Sequence, residues 1–300
     1  MPSIPVTIQE ELCTGCGLCL AVCPDDAFSL AQNRARVSGN RCLVCGHCLA
    51  VCPAGAVRVD GIEHPPSFQT FATDNRWLPP GQSDPAALAR LMLSRRSCRN
   101  YRERPVPRSL LADLVRFGAS APSGTNSQAW TFTILPQRRA VEILGNQVAA
   151  SFHKLNRLAK NPLLRHLLRW LGKPALADYY QRYYQTIRQG LREWEEHGRD
   201  RLFHGAPAAI IVGARPGASC PQEDAMLASQ NILLAAHALG LGSCLIGFAV
   251  AAMAREPAIK KTVGIPAEER IAAVIALGYP ALDYQRLTGR KPVIPRYFTG

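Results

Sequence analysis

The chain has no apolar run of the length a membrane helix needs. The longest candidate, residues 225–254, is interrupted by Ser229, Gln230, Asn231, His237 and several glycines, so it reads as a buried helix followed by a loop. No Gly-x-Gly-x-x-Gly follows a candidate strand and no Walker-type loop is present, which excludes a dedicated nucleotide-binding domain. The seven histidines form no His-x3-His or His-Glu pair, which argues against a catalytic metal. No Cys-x3-Cys-x2-Cys occurs, so radical chemistry on S-adenosylmethionine is disfavoured. No charged-then-apolar signal segment opens the chain, and a cytoplasmic protein is expected.

Acidic residues are also scarce, and unevenly so. Net charge is +13 over 300 residues, yet residues 1–60 hold four basic and five acidic side chains against 31 basic and 17 acidic in the remainder. A basic body suits an acidic partner: nucleic acid, a phosphate cofactor or an acidic electron carrier. Charge alone does not choose. With 47% apolar residues the chain can bury a real core and exceeds one small unit, so a second, larger domain is expected.

What the chain does have is cysteine in a repeated pattern. Eight of its eleven cysteines lie in Cys13-x2-Cys16-x2-Cys19-x3-Cys23-Pro24 and Cys42-x2-Cys45-x2-Cys48-x3-Cys52-Pro53, the ligand spacing of a two-cluster bacterial ferredoxin. The copies are offset by 29 residues, and ten of fifteen positions match between Cys13–Ala27 and Cys42–Ala56, which marks an internal repeat. Three closely spaced thiolates wrap one face of a cubane only on a short open loop, and Gly17 and Gly46 supply that freedom. The fourth cysteine of such a run reaches the other cluster, giving Cys13, Cys16, Cys19 and Cys52 to one 4Fe-4S centre and Cys42, Cys45, Cys48 and Cys23 to the other. Zinc is the competing occupant, but it takes two pairs rather than a run of three with a fourth before proline. Cys98, Cys220 and Cys244 lack ligand spacing and read as ordinary thiols.

Between Gly61 and Ser83 the sequence turns to Pro65-Pro66 and Pro79-Pro80-Gly81 with little periodicity, as a linker would. The expected division is a cluster domain over 1–62, a linker over 63–83 and a main domain over 84–300. A helix starts with Asp84 as cap and Pro85 at its first position, and a second carries Leu110, Leu111, Leu114 and Val115. Strands are expected at Thr131–Leu135, Ala208–Gly213 and Ile271–Gly278, with an apolar helix near Met226–Leu239 and a Gly240-Leu241-Gly242 turn. The segment at about 151–201 reads as a helical insertion with 11 basic, 5 acidic and seven aromatic residues. Leu164, Leu167, Leu168 and Leu171 form one helical stripe; Tyr180, Tyr183, Tyr184, Ile187, Leu191 and Trp194 form another. Such helices pack on the core or on a second subunit, or they form an aromatic and basic lid. A nucleic-acid surface is the remote third reading, since the aromatics sit on the core stripe.

In the main domain Arg95, Arg96, Ser97 and Arg99 crowd guanidinium forks and a hydroxyl into five residues, which suits a phosphate. Alone this is also what a solvated basic patch looks like. The ordered series Ser94-Arg95-Arg96-Ser97-x-Arg99-x-Tyr101, Ala121-Pro122-Ser123-Gly124-Thr125-Asn126-Ser127-Gln128-x-Trp130, Gly240-Leu241-Gly242-Ser243-Cys244-x-Ile246-Gly247, Gly278-Tyr279-Pro280 and Arg290-Lys291-Pro292 resembles the nitroreductase family of FMN-dependent enzymes.

That resemblance implies an α+β fold with a mainly antiparallel sheet flanked by helices, in an intertwined homodimer with FMN at the subunit interface. It implies that Arg95, Ser97, Arg99 and Arg290 bind the FMN phosphate and ribityl chain, with Arg96 and Lys291 nearby. Pro122, Ser123 and Asn126 would lie against the flavin, and backbone groups of Leu245, Ile246 and Gly247 would face its redox-active edge. From the residues alone, Asn126 and Gln128 also serve as satisfiers of loop backbone groups, and Gly240-Leu241-Gly242 as a helix end. Gly247 and Phe248 stand where many members carry an acidic residue. No side chain is marked as an acid-base catalyst.

The functional expectation is an iron-sulfur flavoprotein oxidoreductase. A low-potential donor, ferredoxin in the first instance and NAD(P)H in the second, would supply two 4Fe-4S clusters, then FMN, then an organic acceptor such as a nitroaromatic, quinone or activated alkene. Two other classes remain at this stage: an electron-transfer subunit with FMN as a relay, and an iron-sulfur nucleic-acid-binding protein. Neither nucleic acid nor a membrane is expected as a partner of the favoured class.

Overall fold

The computed structural model describes residues 4–62 and 67–300; the Pro65-Pro66 part of the expected linker lies outside the described residues. The chain divides into two units: residues 1–68, 72–75 and 122–128 form the first, and residues 69–71, 76–121 and 129–300 the second.

The first unit repeats one motif, as its sequence does. Strand β1 (Val6–Ile8), helix α1 (Leu18–Ala21) and strand β2 (Phe28–Ala31) are followed by β3 (Arg34–Val37), α2 (His47–Val51) and β4 (Val57–Val59). The sheets form across the repeat: β1 pairs antiparallel with β4, and β2 with β3. Each short helix begins after a left-handed glycine, Gly17 at φ 75° and Gly46 at φ 74°, which lets the cysteine loop turn sharply into the helix. Val6, Ala27, Phe28, Ala35, Ala56, Val57 and Val59 are buried around the cysteines.

The second unit opens with α3 (Pro85–Ser94), capped by Asp84, whose carboxylate accepts from the Ala86 N–H at 2.9 Å. Then come α4 (Arg108–Ala119), β5 (Trp130–Leu135), and four helices: α5 (Arg138–Lys160), α6 (Pro162–Trp170), α7 (Ala175–Arg182) and α8 (Tyr184–His197). The remainder is β6 (Ala208–Ala214), α9 (Pro221–Ala238), β7 (Gly242–Leu245), α10 (Gly247–Arg255), α11 (Ala258–Thr262) and β8 (Arg270–Gly278).

The sheet runs β5-β6-β8-β7, antiparallel throughout. Strands β6 and β8 are buried on both faces, so their side chains divide by the period of two between two layers. Ala209, Ile211, Val274 and Ala276 join a cluster with Val141, Leu144 and Phe152 of α5 and Ala249 and Met253 of α10. Ile210, Val212, Ile275 and Leu277 face Leu111 and Leu114 of α4 and Ile232 of α9. Each fully buried Ile or Leu contributes about 1.5–3 kcal/mol, so these two layers hold the unit together. This is the expected α+β architecture.

Two elements differ from expectation. The Gly240-Leu241-Gly242 turn runs directly into β7, where Gly242-Ser243-Cys244-Leu245 has weak strand propensity and is drawn into the sheet by pairing with β8. Helix α9 begins at Pro221, which takes the first helical position.

Candidate functional site

The eight repeated cysteines fall into two groups in the first unit. Cys13, Cys16, Cys19 and Cys52 line one cavity with Ile8, Ala35 and Val57. Cys23, Cys42, Cys45 and Cys48 line another with Val6, Phe28 and Val59. The cavities are equal in size, about 20 Å3 each, as two copies of one site should be.

Backbone N–H groups are aimed at the sulfurs. Ala27 donates to Cys23 Sγ and Ala56 to Cys52 Sγ, each at 3.3 Å, and these two bonds are equivalents under the repeat. Ala35 donates to Cys13 Sγ at 3.4 Å and Val44 to Cys42 Sγ at 3.3 Å. Such donors favour a thiolate, and the Ala35 and Gly15 N–H groups hold the Cys13 thiol below its usual range. Burial pushes Cys19 and Cys48 up, a bias that coordination to iron overrides by removing the proton outright. Among the described residues no three His, Cys, Asp or Glu converge tightly enough to hold a single metal ion. Thiolates that each cap a different corner of a cubane have no need to converge on a point.

The segment Pro122–Gln128 is also part of this unit. Thr125, Asn126 and Gln128 all have positive φ, between 45° and 52°. The Ser123 carbonyl accepts from the Asn126 N–H, and the Ser123 hydroxyl accepts from the Gln128 N–H, each at 3.0 Å. Asn126 Nδ2 donates to the carbonyl oxygens of Leu43 at 2.8 Å and Val44 at 3.0 Å, inside the second cysteine loop. Its Nδ2 is therefore engaged by backbone groups.

In the second unit the chain leaves α3 at Arg95 and runs beside β7. Ser97 forms a parallel bridge with Ser243, and the Cys98 N–H donates to the Ser243 carbonyl at 2.9 Å. Arg95 is depressed from its ordinary value by burial, and further by the charges of Arg96 and Arg290, so three expected phosphate ligands lie within electrostatic reach of one another. Arg96 Nη1 and Ser243 Oγ are buried with no hydrogen-bond partner. Buried polar atoms cost free energy unless paired, so both atoms carry an unmet hydrogen-bonding demand.

Arg99 lines a broad cleft with Tyr101, Arg104, Arg138 and His204. Lys291 is exposed in the C-terminal segment. At the end of β7, Leu245 is half exposed, Ile246 is buried with its N–H on the Val274 carbonyl at 2.8 Å, and Gly247 begins α10. A Cβ at Gly247 would meet nothing within 4 Å, so a ligand has open space there. Pro122, Ser123 and Asn126 belong to the first unit, and the other nine expected ligands to the second.

Three features escaped the sequence reading. Ser243 lies in the Gly240–Gly247 motif, on a strand that its sequence does not signal. The insertion packs beside Gly247: Phe152 and Tyr183 both meet the Phe248 ring edge to face, with centroids 5.6 and 5.9 Å apart. An apolar cavity of about 140 Å3 lies there too, lined by Val148, Phe152, Leu191, Phe203 and Phe248. The third is Asp113, on α4, which no sequence motif marks. It is buried and accepts from Gln69 N, Thr70 N and the Thr70 hydroxyl at 2.8, 2.8 and 2.6 Å.

Comparison with known proteins agrees with both units. The nitroreductase family model matches residues 92–279, and a 4Fe-4S dicluster domain model matches residues 5–53. An NADH dehydrogenase of Thermus thermophilus is 29% identical over 63% of this chain and 84% of its own length. A 4-nitrobenzoate reductase of a Nocardioides species is 27% identical over 68% and 85%. Among solved structures, a nitroreductase of Desulfitobacterium hafniense with bound FMN shares the fold, with a TM-score of 0.50 and 24% identity over 70% of this chain and 97% of that one.

Proposed function

This chain belongs to the nitroreductase family, and on that premise we propose that it draws electrons one at a time from a low-potential donor, ferredoxin first, and delivers them in pairs to an organic acceptor. It is an FMN-dependent oxidoreductase with an N-terminal 4Fe-4S dicluster domain. Iron-sulfur clusters exchange single electrons, whereas FMN collects two and passes them on together or as hydride.

The observation that carries the reading is the pair of orphaned buried atoms, Arg96 Nη1 and Ser243 Oγ, beside the mutually repelling Arg95, Arg96 and Arg290. A phosphate supplies both the missing hydrogen-bond acceptors and the missing negative charge. In this proposal Arg95, Arg96, Ser97, Arg99, Arg290 and Lys291 hold the phosphate and ribityl end. Leu245, Ile246 and Gly247 offer backbone groups to the redox-active edge, and Pro122 and Ser123 lie against the ring. Asn126 contributes from the same loop, with its side chain committed to Leu43 and Val44. Two cysteine-lined cavities of equal size support two clusters, held as Cys13, Cys16, Cys19 with Cys52, and Cys42, Cys45, Cys48 with Cys23.

Residues 1–62 then serve as the electron input, 63–83 as the connection and 84–300 as the flavin domain, with 151–201 inserted. A homodimer is part of the proposal. Val293, Ile294, Tyr297 and Phe298 stand more than four-fifths exposed in the C-terminal segment, and Leu163, Leu167 and Leu171 of the α6 region are exposed as well. A second subunit would cover such groups. The aromatic ring contacts from the insertion onto Phe248 favour a nitroaromatic, quinone or activated alkene as acceptor. No helix among the described residues is long and apolar enough to cross a membrane. A cytoplasmic setting suits cluster assembly.

The test is anaerobic purification with assay of iron, sulfide and FMN, then reduction by ferredoxin or NADPH before a panel of acceptors is added. We expect about 8 iron atoms per chain, as two cubanes require, and bound FMN. Cys13→Ser should abolish ferredoxin-driven turnover. Intact clusters without FMN would overturn the enzyme reading. Turnover by NADPH alone, unaffected by Cys13→Ser, would replace the donor.

A further inference from the structure

Between their first and second cysteines the two loops carry different residues at one left-handed position. Gly15 of the first repeat has φ 73°; its equivalent 29 residues on is Val44, with φ 52°. Glycine is mandatory at the first site, where a Cβ would fall 2.2 Å from the Asn33 carbonyl oxygen. A left-handed glycine carries no steric cost, whereas a β-branched residue in that region is a genuine outlier, held only by its surroundings.

What holds Val44 is visible. The peptide group between Leu43 and Val44 is gripped at both ends: its oxygen accepts from Asn126 Nδ2 at 2.8 Å, and its N–H donates to Cys42 Sγ at 3.3 Å. The Val44 carbonyl accepts from the same Asn126 amide at 3.0 Å. Two bonds from one side chain thus fix the rotation of both peptide planes flanking the strained residue. Asn126 sits in a loop that is itself left-handed at Thr125, Asn126 and Gln128. Asparagine is among the few residues that tolerate that region.

We propose that Asn126 is a positioning residue for the Cys23/Cys42/Cys45/Cys48 centre and that it sets the reduction potential of that centre, doing for Val44 what glycine does unaided at Gly15. Hydrogen bonds to cluster sulfurs stabilise the more negative, reduced form and so raise the potential. Without the Asn126 amide the Leu43–Val44 peptide is free to leave its left-handed setting, and the Val44 N–H turns away from Cys42. The potential of that centre falls, and that of the Cys13 centre, whose sulfur takes its bonds from Ala35 and the unaided Gly15, does not. The inference rests on the reading that the cysteines hold two clusters.

The experiment is an anaerobic redox titration of the full-length protein, followed by EPR, for wild type and Asn126→Ala. Cysteine β-proton paramagnetic shifts assign each centre. Expected is a shift of one centre to more negative potential, about tenfold in its reduction equilibrium or about 59 mV for one electron. The other centre should stay where it was. Asn126→Ala with Val44→Gly should recover most of the shift, since glycine holds the conformation without a clamp. Two unmoved potentials in a protein with wild-type iron and sulfide would overturn the inference, as would equal movement of both. Should Asn126→Ala lose its iron, Asn126→Ser, too short to reach both carbonyls, takes its place with the same expectation. Wild type without iron and sulfide would overturn the cluster reading itself, a separate outcome.

Discussion

Ser97 and Ser243 face each other across a parallel bridge, and the buried hydroxyl of Ser243 has no protein partner, nor does Nη1 of Arg96 next to Ser97. A buried guanidinium nitrogen left without an acceptor destabilises the protein alone and favours its anion complex. We therefore expect Arg96→Met to weaken FMN binding by about 10- to 100-fold, the worth of one charged hydrogen bond at about 1.5–3 kcal/mol. The same variant should leave the melting temperature of the FMN-free protein unchanged or higher, while the gain in Tm on adding FMN shrinks. Flavin fluorescence titration and thermal denaturation measure both. Unaltered FMN affinity would remove Arg96 from the site.

Gly242 keeps the bridge closed. A Cβ there would lie 2.7 Å from both Cβ and Sγ of Cys98, with Pro280 Cγ at 3.2 Å. Gly242→Ala must then push the 95–99 segment off β7, costing about 1–3 kcal/mol as overpacking does. FMN affinity should fall with it, because Arg95 and Ser97 move together. Adding Cys98→Gly should restore part of both. Urea denaturation beside flavin titration reads the pair, and a loss of stability that spares FMN binding would separate the bridge from the site.

How much of this was legible beforehand follows from range. The cysteine loops announce themselves because their chemistry is local: ligand spacing, Gly17, Gly46 and the 29-residue offset all lie within one short stretch. Asp84 with Pro85 marks the start of α3 for the same reason. The proposed phosphate site was half legible, since Arg95, Arg96 and Ser97 are adjacent in sequence. Its other wall is not, because β7 has no strand signal of its own and exists through pairing with β8. Asn126 could be named, but its partners Leu43 and Val44 lie more than eighty residues away. Asp113 is the extreme case: a carboxylate on a helix reads as surface until a distant segment is seen to cover it.

That covering segment gives the next expectation. Asp113 satisfies two backbone N–H groups and one hydroxyl of Gln69 and Thr70, while Phe71 stacks on Phe117 with ring centroids 6.0 Å apart. Asp113→Ala deletes all three acceptor contacts. We expect the segment around residues 69–71 to open locally and to be cleaved about tenfold faster in limited proteolysis, with global stability falling by a smaller factor. Asp113→Asn keeps the shape and one acceptor oxygen, and should fall between. Equal cleavage of wild type and Asp113→Ala would show that Phe71 alone anchors the segment.

The response to acid should show two windows. Asp200 is largely buried, which by itself would raise its pKa, but Arg138 Nη1 at 2.8 Å and the N–H groups of Phe203 and Gly205 at 2.7 and 3.1 Å outweigh burial and hold it below the usual carboxylate range. A carboxylate with a depressed folded pKa contributes stability that is complete above its unfolded value of about 3.9 and is lost as pH falls through the folded value. His204, two residues beyond Leu202, is also depressed, chiefly by burial, with the Asp200 charge opposing the effect and those of Arg99 and Arg201 adding to it. Folding therefore resists its protonation, and stability begins to fall below the unfolded histidine value of about 6.5. Asp200→Asn should cost about 1.5–3 kcal/mol at pH 7, with a gap to wild type that stays constant down to about pH 5 and closes below about pH 4. His204→Gln should instead flatten the loss between about pH 6.5 and 5. Urea midpoints across pH 7 to 3 distinguish the two, and parallel curves for wild type and Asp200→Asn throughout would show that the Asp200 carboxylate is not ionised in the folded chain.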